Sequence, residues 1–186
     1  MDNRDFCSRA IAKLAIRGLE ERPTGRMLEQ EAPVLTRLAN GLRVGYVVDQ
    51  GEHLQYVQRR HLMAEGVSEA DLHRNAIANL SALLRDRGVS ICPCGDASIV
   101  IFDGHFEASL ILVDALWDEA LAGFAPNGFI ITIPNRDILA FCDSGSVAGL
   151  EEIHRIIERG GPGDDQITTT LYHRNPTSRD WRPYRG

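Results

Sequence analysis

A chain of 186 residues and 20.6 kDa folds to a surface of ~8,900 Å² from ~30,000 Å² unfolded, so about 70% can be buried, enough for one sizeable core. Apolar residues make up 44% and charged residues 25%, values that exclude a collagenous, coiled-coil or wholly disordered chain. The net charge of −6 argues against general nucleic-acid binding, which needs a concentrated basic surface.

Residues 5–20 carry Phe6, Ala10, Leu14, Ile16 and Leu19 at roughly helical spacing, which predicts an amphipathic first helix. The turn residues Arg22-Pro23-Thr24-Gly25 then predict a loop over 20–31. Residues 43–49 are β-branched and aromatic, and Gln50-Gly51-Glu52 separates them from 53–57, where Leu54 and Tyr56 alternate with polar neighbours. This predicts a β-hairpin. A short helix over 59–66 closed by Gly66 follows. Ser68-Glu69-Ala70-Asp71 has the spacing of a capping box, opening a long helix that ends near Arg87 at Gly88.

A second hairpin is expected from 89–92 and 98–102, with Pro93-Cys94-Gly95-Asp96 in its turn. Leu110, Val113, Leu116, Trp117 and Leu121 predict a helix over 106–122. Residues 129–133 read as a strand, 136–142 as a short helix, 147–159 as a longer helix and 167–172 as a last strand. Strand pairs mixed with helices indicate an α+β fold: a mixed, mainly antiparallel sheet of about five to six strands with helices packed on it. The expected segments are an N-terminal helix and loop at 1–32, the α+β domain at 33–173 and a basic tail at 174–186.

No apolar run is long enough to span a bilayer, and Arg4, Asp5, Arg9, Lys13 and Arg17 interrupt any signal-peptide pattern. A cytoplasmic protein is therefore expected. Four cysteines, at 7, 92, 94 and 142, are too sparse for a disulfide scaffold and read as reduced thiols. The tail carries four Arg against Asp180, so the preceding residues hold a net −9. It either frays or docks on an acidic surface, its own or a partner's.

Candidate chemistry is sparse. Asn135, Arg136 and Asp137 follow a predicted strand and open a predicted helix, where free amides and the positive helix end can hold an anion. Helix capping by Asn135 and Asp137 accounts for the same residues. Asp103, His105 and Glu107 alternate, as on one face of a strand that binds metal or exchanges protons. Gly104 and the helical pattern from Phe106 favour loop capping instead. Cys92-Pro93-Cys94 lacks the two-residue spacing of a zinc knuckle or a thioredoxin site and reads as thiols beside a turn, and a pairing of Cys142 with His154 or His105 is carried by nothing in the sequence. Asp71, Asn75 and Asn79 form a polar stripe at i, i+4 and i+8. Asn is a mediocre helix former, so Asn79 is a candidate binding residue, although amphipathic helices normally show such a stripe. No dinucleotide, P-loop, zincin or nucleophile-elbow motif occurs, and no cofactor or metal is expected.

Four segments together are more specific: Tyr46-Val47-Val48-Asp49 with Gln55-Tyr56-Val57, Ala76-Ile77-Ala78-Asn79-Leu80, Asp103-Gly104-His105-Phe106-Glu107-Ala108-Ser109, and Ile133-Pro134-Asn135-Arg136-Asp137-Ile138-Leu139. Their order and content resemble the YtpQ-like family of bacterial proteins of unknown function, over roughly residues 35–172. The resemblance implies an intracellular bacterial α+β protein and transfers no catalytic residue. The expected function is a non-enzymatic protein-binding module whose acidic body suits a basic partner, with a second copy of the chain also open as partner and neither nucleic acid nor membrane involved. The alternative is a small, hydrolase-like enzyme with its pocket at the 103–107 and 134–137 turns.

Overall fold

The computed structural model describes residues 5–19, 29–160, 163 and 165–185. The chain divides into two compact units, residues 1–86 and 87–186.

The first unit is organised by its third strand. Strands β1 (Ile11–Leu14), β2 (Leu35–Arg37), β3 (Arg43–Asp49) and β4 (Leu54–Tyr56) form an antiparallel sheet with β3 at its centre. β1 lies along one side of β3, while β2 and β4 share the other, opposite Arg43 to Gly45 and Val47 to Asp49 respectively. Gly45 is required at this crowded place: a Cβ there would stand 2.9 Å from the Tyr56 ring and 3.3 Å from Leu35. Helix α1 (Arg59–Glu65) ends at Gly66, whose φ of 66° is the left-handed cap that glycine adopts without penalty. Helix α2 (Glu69–Arg87) buries Leu72, Ala76 and Leu80 completely. Ser68 caps it by accepting the Asp71 N–H at 3.1 Å, and donates its hydroxyl to the same residue's carboxylate at 2.7 Å.

The helix expected over residues 5–20 is absent. Cys7–Arg9 makes a single 3-10 turn and Ile11–Leu14 is strand. Ala12, Lys13 and Leu14 are all buried, so this strand shows none of the alternation that betrays a half-buried one. The turn before it is held by Glu65, whose carboxylate accepts the Phe6 and Cys7 N–H groups at 3.0 and 3.1 Å. The loop expected over 20–31 lies outside the described residues except for Glu29–Glu31, a 3-10 turn.

In the second unit, β5 (Ser90–Cys94), β6 (Ala97–Ile101), β7 (Phe129–Thr132), β8 (Leu139–Asp143), β9 (Tyr172–Arg174) and β10 (Trp181–Pro183) form one antiparallel sheet in the order β10-β9-β7-β8-β6-β5. Both edge strands contain a proline, Pro93 and Pro183, which removes a donor from an exposed edge and blunts pairing with other chains. The hairpin turn is only Gly95-Asp96, because Cys94 pairs Ala97 directly. Helix α3 (Val147–Gly160) packs Ile153 and Ile156 into a cluster with Ala97, Ile130, Ala140, Cys142 and Leu171.

Three further expectations are corrected here. Residues 136–142 do not form a helix; they lead into β8, whose Leu139 to Cys142 are buried on both faces. The helix expected over 106–122 is a 3-10 turn, Glu107–Leu112, and a π turn, Leu116–Ala120, divided at Val113 with its extended ψ of 92°. The Leu110 carbonyl is taken there by Val113 N–H and by the Trp117 indole at 2.9 Å. The last strand expected over 167–172 begins only at Tyr172, and the chain then returns as β10. The α+β class and antiparallel character stand, with the strands shared between a four-stranded and a six-stranded sheet. No described helix is long and apolar enough to cross a membrane.

Candidate functional site

Ala108, the residue after the first turn singled out in the sequence, donates its N–H to Arg136 C=O in the second at 3.1 Å. The side chains of the two turns are largely occupied in building them. Asp103 accepts the His105 and Phe106 N–H groups, both at 3.0 Å, and pairs with Arg87 at 3.0 Å. Glu107, 3% exposed, accepts the Phe102 and Gly104 N–H groups through Oε1 at 3.0 and 2.7 Å, and its Oε2 is buried without a protein hydrogen-bond partner. His105 is exposed. Asn135 caps no helix: it bridges to Gln166, and its amide donates to Gly160 C=O at 3.4 Å. Arg136 pairs with Asp165 at 3.4 Å, and Asp137 is exposed. Since β8 replaces the expected helix, its positive end is absent as an anion site.

Asn79 belongs to the first unit, where its amide donates to the Ser8 and Ala10 carbonyls, both at 2.8 Å. This fastens the segment before β1 and offsets the poor helix propensity of Asn. Cys142 is buried under α3, and burial, with the Asp143 charge, pushes its thiol up to about 11; it stays protonated near neutral pH and is no nucleophile. Among the described residues no group of three or more His, Cys, Asp or Glu side chains gathers to hold a metal.

A different place has the shape of a binding site. The π turn, the loop before β7 and the β9–β10 hairpin enclose a cavity of about 180 Å³, walled by Trp117, Phe129, Ala125, Pro126 and Pro176. Two other cavities, of about 430 and 330 Å³, are larger but more open, and are lined mostly by exposed side chains such as Met63 and Glu69, or Thr177 and Arg182. The walls of the smaller, more closed one are built around Trp117, 1% exposed, which meets Phe129, Phe141 and Trp181 edge to face at centroid distances of 5.1, 6.0 and 4.9 Å. Gly128 closes one wall at φ 107°, where a Cβ would lie 2.8 Å from the Arg174 carbonyl oxygen.

The charged part of the cavity comes from Asp118 of the π turn and from two arginines of the C-terminal tail. Arg174, 2% exposed, donates to Asp114 at 2.9 Å and Asp118 at 2.8 Å and lies 5.4 Å from the Trp181 ring centre. A buried guanidinium needs such partners, since an unpaired one would cost several kcal/mol, of the order of ~3–5. Of the two dockings open to the basic tail, this one is on the chain's own acidic residues. Arg179 reaches Asp118 at 3.6 Å and is 68% exposed at the cavity's rim. With φ 57°, it is the one described residue other than glycine with a positive φ. The loop imposes this: Asn175 accepts the Thr177 and Ser178 N–H groups through its side chain and that of Arg179 through its carbonyl.

Sequence reasoning missed this cavity because its walls come from residues 117–129 and 174–179. The available signal was charge and aromatic content together, two Trp and a cationic tail against Asp114 and Asp118. No family model, curated protein or solved structure matches the chain.

Proposed function

We propose that the protein is a non-enzymatic protein-binding module that receives one apolar or aromatic side chain of a partner segment in the Trp117 cavity. The observation that carries this reading is the cavity's size and lining. About 180 Å³ is below the ~300–1,000 Å³ of sites that enclose drug-sized ligands and cofactors, and it matches a single anchor side chain. Its aromatic walls favour an edge-to-face or stacked ring, the anchor chemistry that dominates protein interfaces. Phe124, 53% exposed, adds apolar surface in the turn that supplies Ala122 and Ala125 to the lining. The net charge of −6 favours a partner segment with basic flanks through steering rather than affinity. Membership of the YtpQ-like family belongs to the same proposal and rests on the four segments whose order and content resemble it.

A library of linear peptides selected on the whole protein tests the reading. Selected peptides are expected to share an aromatic or large aliphatic anchor and to lose binding at least ~10-fold to Ala122→Trp, which fills the cavity from its exposed rim. Failure to enrich peptides, or equal binding to that variant, rejects it. The second reading, an enzyme at the 103–107 and 134–137 turns, is favoured by one observation, the buried and unpartnered Oε2 of Glu107. Glu107→Gln that abolishes a detected hydrolysis while leaving the thermal midpoint unchanged would favour it.

A further inference from the structure

Cys92 and Cys94 stand two residues apart on β5 and therefore point to the same face of the sheet, the face on which Cys94 meets α3. Two residues of strand span about 6.6 Å, inside the range of ~4.4–6.8 Å over which Cα atoms are bridged by a disulfide, but at its upper end. Among the described residues no strand pairs the outer side of β5, and Pro93 lies between the two thiols. Bending the strand to bring the sulfurs together thus disturbs one ladder, that with β6. Cys92 is exposed and Cys94 half-buried, while Cys7 and Cys142 are buried.

Glu152 completes the cluster. Its Oε1 accepts the Cys94 S–H at 3.6 Å, and its carboxylate is held by Arg155 at 2.6 Å and Arg159 at 3.6 Å. The hairpin turn is pressed against it, since a Cβ on Gly95 would lie 3.3 Å from Glu152 Oε2. Burial and Glu152 raise the Cys94 thiol above its ordinary value, and the Arg155 hydrogen bond holds Glu152 below its own. Cys94 is therefore a protonated thiol resting on an ionised carboxylate, and Cys92 is the accessible sulfur.

We propose that Cys92 and Cys94 form a stoichiometric thiol–disulfide exchange site, beyond the binding reading above, that low-molecular-weight disulfides oxidise. The Cys92 thiolate attacks one sulfur of the disulfide, forming a mixed disulfide and releasing the first small thiol. Cys94 then loses its proton to solvent, attacks the Cys92 sulfur and releases the second small thiol. The protein's two thiols lose two electrons and two protons, and the small disulfide becomes two thiols. Because the bridge draws together groups set at strand spacing, it is strained and readily reduced, so the site runs in both directions.

The test treats the whole protein with oxidised glutathione, quenches with acid, alkylates the remaining thiols and measures intact mass. Wild type is expected to lose the mass of two hydrogens and two alkylatable thiols, with the bridge mapped to the peptide following Arg87, and to be restored by reduced glutathione. Cys94→Ser is expected to hold the glutathione adduct at least ~10-fold longer than wild type, and Cys92→Ser to form none. Accumulation of the adduct on wild type, a bridge to Cys7 or Cys142, or native protein that does not react overturns the proposal. The wild-type result decides it even if a variant fails to fold.

Discussion

Each unit has one long helix, and the two are secured differently. In the first unit α2 is fastened by polar side chains: Asn79 to the Ser8 and Ala10 carbonyls, and His73 Nδ1 to the Tyr46 hydroxyl at 2.8 Å, with Thr36 on that hydroxyl's other side. In the second, α3 is set down by close apolar approach. Gly149 leaves no room for a side chain, a Cβ there falling 2.7 Å from the Cys142 Cβ, and Ile153 is completely buried in the cluster beneath it. Hydrogen bonds fix direction and register at a modest net gain of about 1 kcal/mol each. Close packing contributes more and tolerates change less.

The largest expected break is therefore in the second unit. Ile153→Ala should cost about 2–5 kcal/mol, the transfer term plus the cavity left under α3. Trp117 and Trp181, the chain's two tryptophans, both lie in that unit, so its unfolding in guanidinium is read by tryptophan fluorescence. A midpoint shift equivalent to less than about 1 kcal/mol would show that α3 is not held by this cluster. Gly149→Ala sharpens the point because two effects oppose. Alanine gains roughly 1 kcal/mol of helix propensity, whereas overpacking against Cys142, with Asp96 O and Ser146 Oγ each 3.0 Å away, costs about 1–3 kcal/mol. Backbone and Cβ atoms cannot swing aside, so a net loss near 1 kcal/mol is expected in the same experiment; a gain would mean that the helix lifts off freely.

In the first unit the corresponding break is smaller. Tyr46→Phe keeps the ring, which is completely buried, and removes the hydroxyl between Thr36 and His73. The cost should be about 1–2 kcal/mol by circular dichroism in urea. A neutral result would mean that the Tyr46 hydroxyl does not fasten α2, which then rests on Asn79 and on Leu72, Ala76 and Leu80.

This difference also explains what could be read from the sequence. The hairpin at 43–57, the Ser68 cap, the Gly66 stop and the Cys94–Ala97 turn region are local, and each is written in adjacent residues. Two of the strands that escaped are buried on both faces: Ile11–Leu14 and Leu139–Asp143 have buried residues in succession, which removes the period of two. Asn135 and Asp137 then looked like a helix start because cap and turn residues are the same kinds. The candidate site divides likewise. The turns at 103–107 and 134–137 were visible and do meet, through Ala108 and Arg136. The Trp117 cavity depends on β9 and β10 returning Arg174 and Arg179 to the π turn, a pairing made across about 60 residues for which no local pattern exists.

Asn79 provides the smallest and most selective break. The sequence marks it only as part of a polar stripe, yet its amide holds two carbonyls of the segment that precedes β1. Asn79→Ala loses both hydrogen bonds, about 1–2 kcal/mol, and regains roughly 0.5 kcal/mol of helix propensity, a net loss near 1 kcal/mol. Asn79→Asp keeps the size, removes both donors and turns a negative carboxylate toward two carbonyl oxygens, so it should cost more than alanine at pH 7. The sign with pH follows: the folded state raises that carboxyl's pKa above the unfolded ~3.9, so the excess penalty over alanine vanishes below it and grows as pH rises. Hydrogen exchange over residues 7–14 locates the effect, with protection falling in both variants and further in the aspartate one at pH 7. If the two variants exchange alike at pH 7, the carbonyls of Ser8 and Ala10 do not face residue 79, and the polar fastening of α2 reduces to Tyr46 and His73.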